Sequence, residues 1–167
     1  MITPDILSKT GSEHGIQTGV FAWAAVAQFH GFEIANAWAE SGDPNAFRNS
    51  PKIGVPELKW LHAIPNGGSR GDTEQSRKIR GATLKAEGVR DGVSDIFLPV
   101  PKFPYHGLYI EMKTPTGTLR PSQKEFGTFA TAQGYAFSVE RSWRDAARLI
   151  QAYIVGNPQV ALNMKGK

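Results

Sequence analysis

The chain has 167 residues and a mass of 18.2 kDa, which is enough for one domain with its own hydrophobic core. It contains no cysteine, which excludes disulfide frameworks, zinc–thiolate sites and cysteine nucleophiles and fits a reducing compartment. The formal net charge is +4, and basic side chains concentrate in residues 51–90 and 141–167, which favours a polyanionic partner such as nucleic acid.

The N-terminal part of the chain predicts one long helix. Ser12 is a suitable N-cap, and apolar residues then recur at helical spacing to about Glu40, with a break expected near Gly31. The stretch between Glu13 and Glu33 has no charged residue, but it contains polar residues and glycines and has no basic start. It therefore fits neither a membrane span nor a signal peptide, and we expect a core helix, no membrane association and a cytoplasmic location.

The rest of the chain predicts strands alternating with helices after a proline-marked loop at 42–56. Strands are predicted at 59–64, 94–100, 107–113 and 135–139. Helices are predicted to begin at capping residues, namely Asp72 with Gln75, Ser122 with Glu125, and Ser142. The order α, β, α, β, β, α, β, α indicates one α/β domain with a mixed central sheet flanked by helices.

Two of these strands are predicted to form a hairpin that collects charged side chains. Glu111 and Lys113 are two residues apart on a strand, so their side chains share a face, while the residue between them points into the opposite, apolar layer. If Leu98 faces Leu108 in an antiparallel register, Asp95 faces Glu111. Two carboxylates and one ammonium group can then converge at one end of the sheet.

This set of charges suits hydrolysis of a phosphodiester. Adjacent carboxylates repel each other, and a divalent cation such as Mg²⁺ resolves that conflict because it prefers carboxylates, water and phosphate oxygens. Such a cation polarises a phosphoryl oxygen and activates a bound water, and Lys113 could position or deprotonate the water or neutralise charge on the phosphate. The plainer interpretation is an ion pair on the solvated face of an ordinary strand.

The order and spacing of these residues resemble the PD-(D/E)xK nuclease motif. Asp95 lies in the run Gly-Val-Ser-Asp-Ile, and fifteen residues separate it from Glu111 in Ile-Glu-Met-Lys. Ser94 stands where the superfamily's motif has proline, a position that shapes the backbone and supplies no ligand. Further segments resemble the VRR-NUC family of that superfamily: 13–17, 62–70, 88–92, 119–123 and Gly134.

The resemblance extends from about Ser12 to Tyr153, and it implies a fold and an activity. The implied fold is a restriction-endonuclease-like core, here a single nuclease domain over residues 1–167 with a core of about 12–154 and short tails. The implied activity is that of a metal-dependent, structure-specific DNA endonuclease. Stand-alone phage and bacterial members are similar to Holliday junction resolvases and act as homodimers on branched DNA, in a bacterial or phage-infected cell.

The resemblance also implies roles for individual residues. Mg²⁺ or Mn²⁺ would be held by Glu13, Asp95, Glu111 and the backbone carbonyl of Met112. The catalytic set would comprise Asp95, Glu111, Lys113 and Gln123, with Lys113 as the catalytic lysine and Gln123 entering from the helix that follows. DNA-binding candidates, drawn from the resemblance, the glycine-rich loop and a basic helix, are Gln17, His62, Asn66, Arg70, Arg77, Lys78 and Arg80.

Several of these residues also have plainer interpretations. Glu13 suits the first turn of any helix, His62 is compatible with an ordinary surface or core histidine, and the loop at 66–70 is compatible with a simple turn. The basic run is compatible with a solvated helix face. The alternative functions are a non-catalytic DNA-binding module of the same fold, a nuclease acting on linear DNA ends or RNA, and a structural subunit of a phage complex.

Overall fold

A mixed sheet organises the computed structural model, which describes residues 1–65 and 73–157. In those residues the sheet has four strands in the order β1-β2-β3-β4, namely β1 His62–Ala63, β2 Ile96–Leu98, β3 Leu108–Met112 and β4 Ala136–Glu140. The first three strands are antiparallel neighbours, and β4 runs parallel to β3. The predicted mixed sheet with flanking helices is confirmed.

Helices account for most of the remaining described chain. They are α1 Pro4–Ser8, α2 Glu13–His30, α3 Phe32–Ser41, α4 Glu74–Ala86, α5 Pro121–Ala132 and α6 Trp143–Ile154. Ser12 caps α2 and Ser142 caps α6, as predicted. The predicted break at Gly31 is confirmed, because this residue has φ 87° and separates α2 from α3. None of the helices within the described ranges is long and apolar enough to cross a membrane.

The strand predicted at 59–64 is wrong for most of its length. Pro56–Trp60 forms a 3₁₀ helix, and only His62 and Ala63 pair with β2. The buried side chains here are Leu58 and Leu61, three residues apart, which is the period of a 3₁₀ turn and not the alternation of a strand. Pro56 also favours a helical turn at its first position.

Two predicted helix starts need correction. The predicted cap Asp72 lies outside the described residues, and Thr73 is the N-cap of α4, where its hydroxyl accepts from the Ser76 N–H at 3.1 Å. Helix α5 begins at Pro121 with Arg120 as its N-cap, so the predicted cap Ser122 lies inside the helix. Proline suits the first helical position because it has no N–H to leave unpaired there.

The sheet has one aliphatic face and one aromatic face. The aliphatic face belongs to the main core, where α2 and α6 pack against the strands. On the aromatic face, Tyr109 meets Phe126 of α5 edge-on with ring centroids 5.0 Å apart. A Cβ on Gly127 would lie 2.7 Å from the Phe137 ring, so only glycine lets α5 approach β4 this closely. The charged side chains of the hairpin therefore lie on the side of the sheet that α5 covers.

The N-terminal segment, for which the sequence predicts only a short tail, is part of the folded unit. Helix α1 contacts α2. Asp5 accepts two hydrogen bonds from the Arg144 guanidinium at 2.7 and 2.6 Å and one from the Trp143 indole at 2.9 Å. These contacts connect α1 to the start of α6 and lower the pKa of Asp5, chiefly through the hydrogen bonds from Arg144.

Candidate active site

The hairpin of β2 and β3 has the predicted register. Ile96 faces Ile110 and Leu98 faces Leu108, so Asp95, which directly precedes β2, comes next to the end of β3. Its carboxylate Oδ2 accepts the Met112 N–H at 2.8 Å, and its carbonyl accepts the Ile64 N–H at 2.8 Å. Asp95 is thus held between β1 and β3 by both its side chain and its backbone.

Glu111 and Lys113 meet beside Asp95. The Glu111 side chain is fully buried, and Lys113 Nζ donates to its Oε1 at 2.7 Å. The backbone of Lys113 continues the sheet beyond β3, because its N–H donates to the Glu140 carbonyl at 2.9 Å. This parallel-strand contact fixes the direction in which the lysine side chain leaves the strand, toward Glu111.

Glu13, in the first turn of α2, comes to the same point from a distant part of the sequence. Lys113 Nζ donates to Glu13 Oε1 at 3.2 Å and to the Met112 carbonyl at 3.0 Å. The Glu13 side chain is 48% exposed, whereas that of Lys113 is 7% exposed. The ammonium therefore joins three oxygen-bearing groups at the border between the core and solvent: Glu13, Glu111 and Met112.

Gln123 completes the site from α5. Its Oε1 accepts the Arg120 N–H at 2.9 Å, which caps the first turn of the helix. Its Nε2 donates to Glu111 Oε1, the same oxygen that Lys113 contacts. The amide is therefore oriented by the helix N-terminus and in turn orients the buried carboxylate.

Burial controls the protonation of the pair. Burial raises the pKa of Glu111 to about 7, and the charge of Asp95 adds to that rise while Lys113 opposes it. Burial by itself would lower the pKa of Lys113, but the hydrogen bond and charge of Glu111, followed by those of Glu13, raise it instead. The lysine is consequently held as an ammonium ion.

The oxygen atoms at this point fit a hard divalent cation. Glu111 Oε2 is buried and has no hydrogen-bond partner, although an unpaired buried carboxylate oxygen is energetically costly. Within residues 1–65 and 73–157, no three His, Asp or Glu side chains are spaced to hold a metal by themselves. A cation here would thus depend on Asp95, Glu111 and the Met112 carbonyl, with water or phosphate completing its shell, which is the coordination typical of Mg²⁺.

Comparison with known proteins supports the same architecture. A solved structure of a VRR_NUC domain protein superposes on the chain with a TM-score of 0.56 and 23% sequence identity, covering 86% of this chain and 88% of that one. The chain has the fold of a VRR-NUC domain. No family model matches the chain, and no curated protein matches it.

In this VRR-NUC-like fold the predicted nucleic-acid contacts lie in different places. Gln17 is half-buried one turn after Glu13 on α2. His62 is exposed, with Nδ1 2.8 Å from the Trp60 carbonyl and its ring edge-on to Phe97. Among the described residues, the structure does not bring His62 into contact with the side chains of Asp95, Glu111, Lys113 or Gln123. Asn66 and Arg70 lie outside the described residues.

The three remaining candidates lie on α4. Arg77, Lys78 and Arg80 are exposed, and none of the described residues of this helix is buried. With the segment 89–91, α4 lines an open cleft whose wall also carries Lys85 and Arg90. The cleft residues 89–91 precede Asp95 by four to six positions in the chain, so the basic helix comes just before the site in sequence.

Three residues near the site are missing from the sequence prediction. Asp91 and Arg120 form an ion pair at 3.2 Å beside the start of α5, and Glu140 is fully buried at the end of β4, where its Oε1 accepts from the Ser138 hydroxyl at 2.6 Å. The signals in the sequence are the segments 88–92 and 119–123, which contain Asp91 and Arg120, and the position of Glu140 after a predicted strand. None of these signals specifies a contact partner.

Proposed function

We propose that this chain is a metal-dependent DNA endonuclease that hydrolyses backbone phosphodiesters. The observation that carries the proposal is the meeting of Asp95, Glu111 and Lys113 at the end of the β2–β3 hairpin, with one buried oxygen of Glu111 left without a partner. The VRR-NUC-like fold supports a nuclease assignment for this geometry. The charges present, two acidic groups and one ammonium, match the needs of phosphoryl chemistry.

The cation is proposed to be Mg²⁺ or Mn²⁺, held by Asp95, Glu111 and the Met112 carbonyl, with Glu13 as a further carboxylate. When bound, it would polarise a phosphoryl oxygen and lower the pKa of a water molecule. Glu111 would present the oxygen that lacks a protein partner, while its other oxygen stays hydrogen-bonded to Lys113 and Gln123. One oxygen of the Glu111 carboxylate is thus available for the cation.

Lys113 is proposed to stabilise negative charge on the phosphate. Its raised pKa keeps Nζ protonated, which argues for charge neutralisation and against removal of a proton from water by this lysine. Water would attack phosphorus and lose one proton to solvent, one ester P–O bond would break, and the leaving oxygen would take a proton from solvent. Gln123 would keep Glu111 in place through this step, since it donates to the same oxygen as Lys113.

The basic face of α4 is proposed to bind the DNA backbone, with Arg77, Lys78 and Arg80 as phosphate contacts. Gln17 and His62 are proposed as contacts nearer the hairpin, and Asn66 and Arg70 stay predictions outside the described residues. The sequence contains no base-reading motif, so recognition by DNA shape is expected.

Branched DNA such as a Holliday junction is the proposed substrate, and a homodimer is the proposed assembly. A two-fold dimer would give one active site to each of two strands of a junction. Light scattering should give twice the 18.2 kDa chain mass at working concentration. A monomeric mass both with and without junction DNA would contradict this arrangement. The proposed location is the cytoplasm of a bacterial or phage-infected cell.

The deciding experiment is a cleavage assay on a labelled four-way junction and a linear duplex of matched sequence, each with Mg²⁺, Mn²⁺ or EDTA. We expect cleavage only with metal and faster cleavage of the junction. Lys113→Ala and Asp95→Asn should each reduce the rate by about 100-fold or more, because each removes a charge from the reacting centre. The matched exposed substitutions Lys9→Ala and Asp43→Asn should leave the rate unchanged.

The alternative functions predict different results in the same assay. Junction binding without cleavage under any metal would identify a non-catalytic module and contradict the proposal. Cleavage of linear ends or RNA in preference to the junction would support the nuclease activity and contradict the proposed substrate. Activity that survives in both Lys113→Ala and Asp95→Asn would show that the site lies elsewhere.

A further inference from the structure

Asp91 connects the segment that leads to Asp95 with the start of α5. Its Oδ2 accepts from the Ser122 hydroxyl at 2.8 Å, and its Oδ1 lies 3.2 Å from the Arg120 guanidinium. Arg120 and Ser122 flank Pro121, the first residue of α5. The carboxylate therefore contacts this helix start on both sides of its first residue.

The backbone next to Asp91 is pressed against the same helix turn. A Cβ on Gly92 would lie 2.5 Å from the Ser122 carbonyl oxygen, and the glycine has φ 89°. Only glycine permits both this conformation and this approach. The position of the first turn of α5 is thus defined by one backbone contact and two side-chain contacts from residues 91 and 92.

The first turn of α5 in turn sets the position of Gln123. The Arg120 N–H donates to Gln123 Oε1 at 2.9 Å, so the amide cannot rotate without losing that bond. Gln123 Nε2 then donates to buried Glu111. A small displacement of the helix start is consequently passed to the carboxylate that holds Lys113.

We propose that Asp91 is a positioning residue that sets Gln123 against Glu111 through the start of α5. The predicted effect of Asp91 on the rate of DNA cleavage rests on the proposed nuclease function. The side chains of Asp91 and Arg120 are 60% and 55% exposed, and exposed ion pairs contribute little to the free energy of folding. The ion pair therefore matters for the position of the α5 start and not for stability. A misplacement of about 1 Å at a reacting centre can reduce a rate about 100-fold.

The second role open to Asp91 is purely electrostatic. It lines the basic cleft with α4, so removing its charge could simply strengthen binding of a polyanion. Glu74 offers a matched control, because it lines the same cleft, pairs with Lys78 at 2.9 Å and lies on α4, away from the start of α5. Glu74→Gln removes one negative charge from the cleft without touching α5.

The test compares Asp91→Ala, Asp91→Asn and Glu74→Gln by steady-state cleavage of junction DNA. We expect Asp91→Ala to lower kcat by about tenfold or more with KM changed by less than about threefold. Asp91→Asn retains an acceptor for the Ser122 hydroxyl and should lie between the wild type and the alanine variant. Glu74→Gln should change kcat by less than about twofold. Equal effects of Asp91→Ala and Glu74→Gln on kcat and on DNA affinity would overturn the positioning role.

A double-mutant cycle tests whether Asp91 acts through Gln123. In a Gln123→Ala background, Asp91→Ala should cause no further loss of kcat, because the contact that it positions is already absent. If the loss of kcat in the double variant equals the product of the losses in the two single variants, the proposal is contradicted.

A second readout does not depend on catalysis. In the metal-free protein, the side-chain amide NMR signals of Gln123, identified by their loss in Gln123→Ala, should move toward those of an unbound glutamine in Asp91→Ala and stay in place in Glu74→Gln. Unmoved Gln123 signals in a folded Asp91→Ala protein would overturn the inference, whether or not the wild type cleaves DNA. A moved signal in a protein that cleaves nothing would retain the positioning role and reject the nuclease.

Discussion

At the residue scale, Glu111 has an unusual environment for a carboxyl group. It is fully buried, it faces Asp95, and it accepts one hydrogen bond from an ammonium group and one from an amide. Desolvation disfavours its ionised form, which is why its pKa rises to about 7. A bound cation would reverse that balance, since it favours the carboxylate. The burial of Glu111 therefore disfavours the metal-free ionised state and leaves the group ready for a positive ligand.

The raised pKa of Glu111 predicts how stability depends on pH in EDTA. The native state keeps the proton up to about pH 7, whereas the unfolded chain releases it near the ordinary value of 4.5. The native state thus binds more protons in this window, and the free energy of unfolding should fall by up to about 3 kcal/mol as pH rises through it. Urea denaturation should show this fall in the wild type and not in Glu111→Gln.

Glu125→Gln serves as the matched control for that measurement, because Glu125 is exposed on α5. Its stability profile should follow that of the wild type. If the free energy of unfolding of the wild type instead rises with pH below about pH 5, more steeply than in Glu111→Gln, and stays level from pH 5 to pH 7, then Lys113 outweighs burial and the pKa of Glu111 is lowered.

At the element scale, the site is assembled where a hairpin, two helix N-termini and a loop meet. The β2–β3 hairpin brings Asp95 beside Glu111, α2 brings Glu13, and α5 brings Gln123. The helix starts contribute because their first turns contain groups without intrahelical partners, which side chains such as Gln123 can satisfy. The close contact of Gly92 with the Ser122 backbone fixes the position of the loop relative to α5.

Two glycines of the same loop allow that contact to be measured. Gly92 and Gly88 both have positive φ, but a Cβ on Gly92 would meet the Ser122 backbone at 2.5 Å, whereas one on Gly88 would meet nothing within 4 Å. Gly88→Ala should lower the free energy of unfolding by about 1–2 kcal/mol through backbone strain alone, and Gly92→Ala by about 3 kcal/mol or more, because steric overlap adds to that strain. Urea denaturation of both variants measures the difference. Equal losses in the free energy of unfolding for the two variants would show that α5 can move away from residue 92 at little energetic cost.

At the scale of the whole molecule, charge and burial are distributed unevenly. The core lies around the sheet, α2 and α6, whereas α4 carries basic residues and has no buried residue among those described. A helix with no buried residue has solvent or a partner on every side. The exposed cations of α4, lining a cleft beside the segment that enters the site, suit a phosphate backbone.

This distribution predicts the salt dependence of DNA binding. Lys78→Gln and Arg80→Gln should each reduce the slope of log affinity against log salt by about 0.9, because each removes one phosphate contact. Arg148→Gln removes the same charge from the exposed face of α6 and should leave the slope unchanged. Fluorescence anisotropy with a labelled junction in EDTA, across a range of salt concentrations, measures all three variants. Equal slopes for the three variants would show that the DNA backbone does not contact Lys78 or Arg80.

The sequence alone was sufficient for features that depend on neighbouring residues. Alternation within β2 and β3 predicted the antiparallel register that places Asp95 beside Glu111, and Ser12 and Ser142 predicted two helix starts. Local rules failed where two local signals competed. At 59–64 the spacing of Leu58 and Leu61 and the preceding proline favoured a 3₁₀ turn over a strand.

Tertiary structure decided the contacts between distant groups at the site, where the sequence indicated Glu13 and Gln123 only through the family resemblance. Glu13 reaches Lys113 across one hundred positions, Gln123 reaches Glu111, and Glu140 extends the sheet for Lys113, all through packing of elements that are not neighbours in sequence. The sequence by itself determined the chemical groups and the hairpin that pairs two of them, because periodicity and hairpin register are local properties. Burial of Glu111 and the choice of its partners required the folded chain, because desolvation depends on everything that surrounds a group.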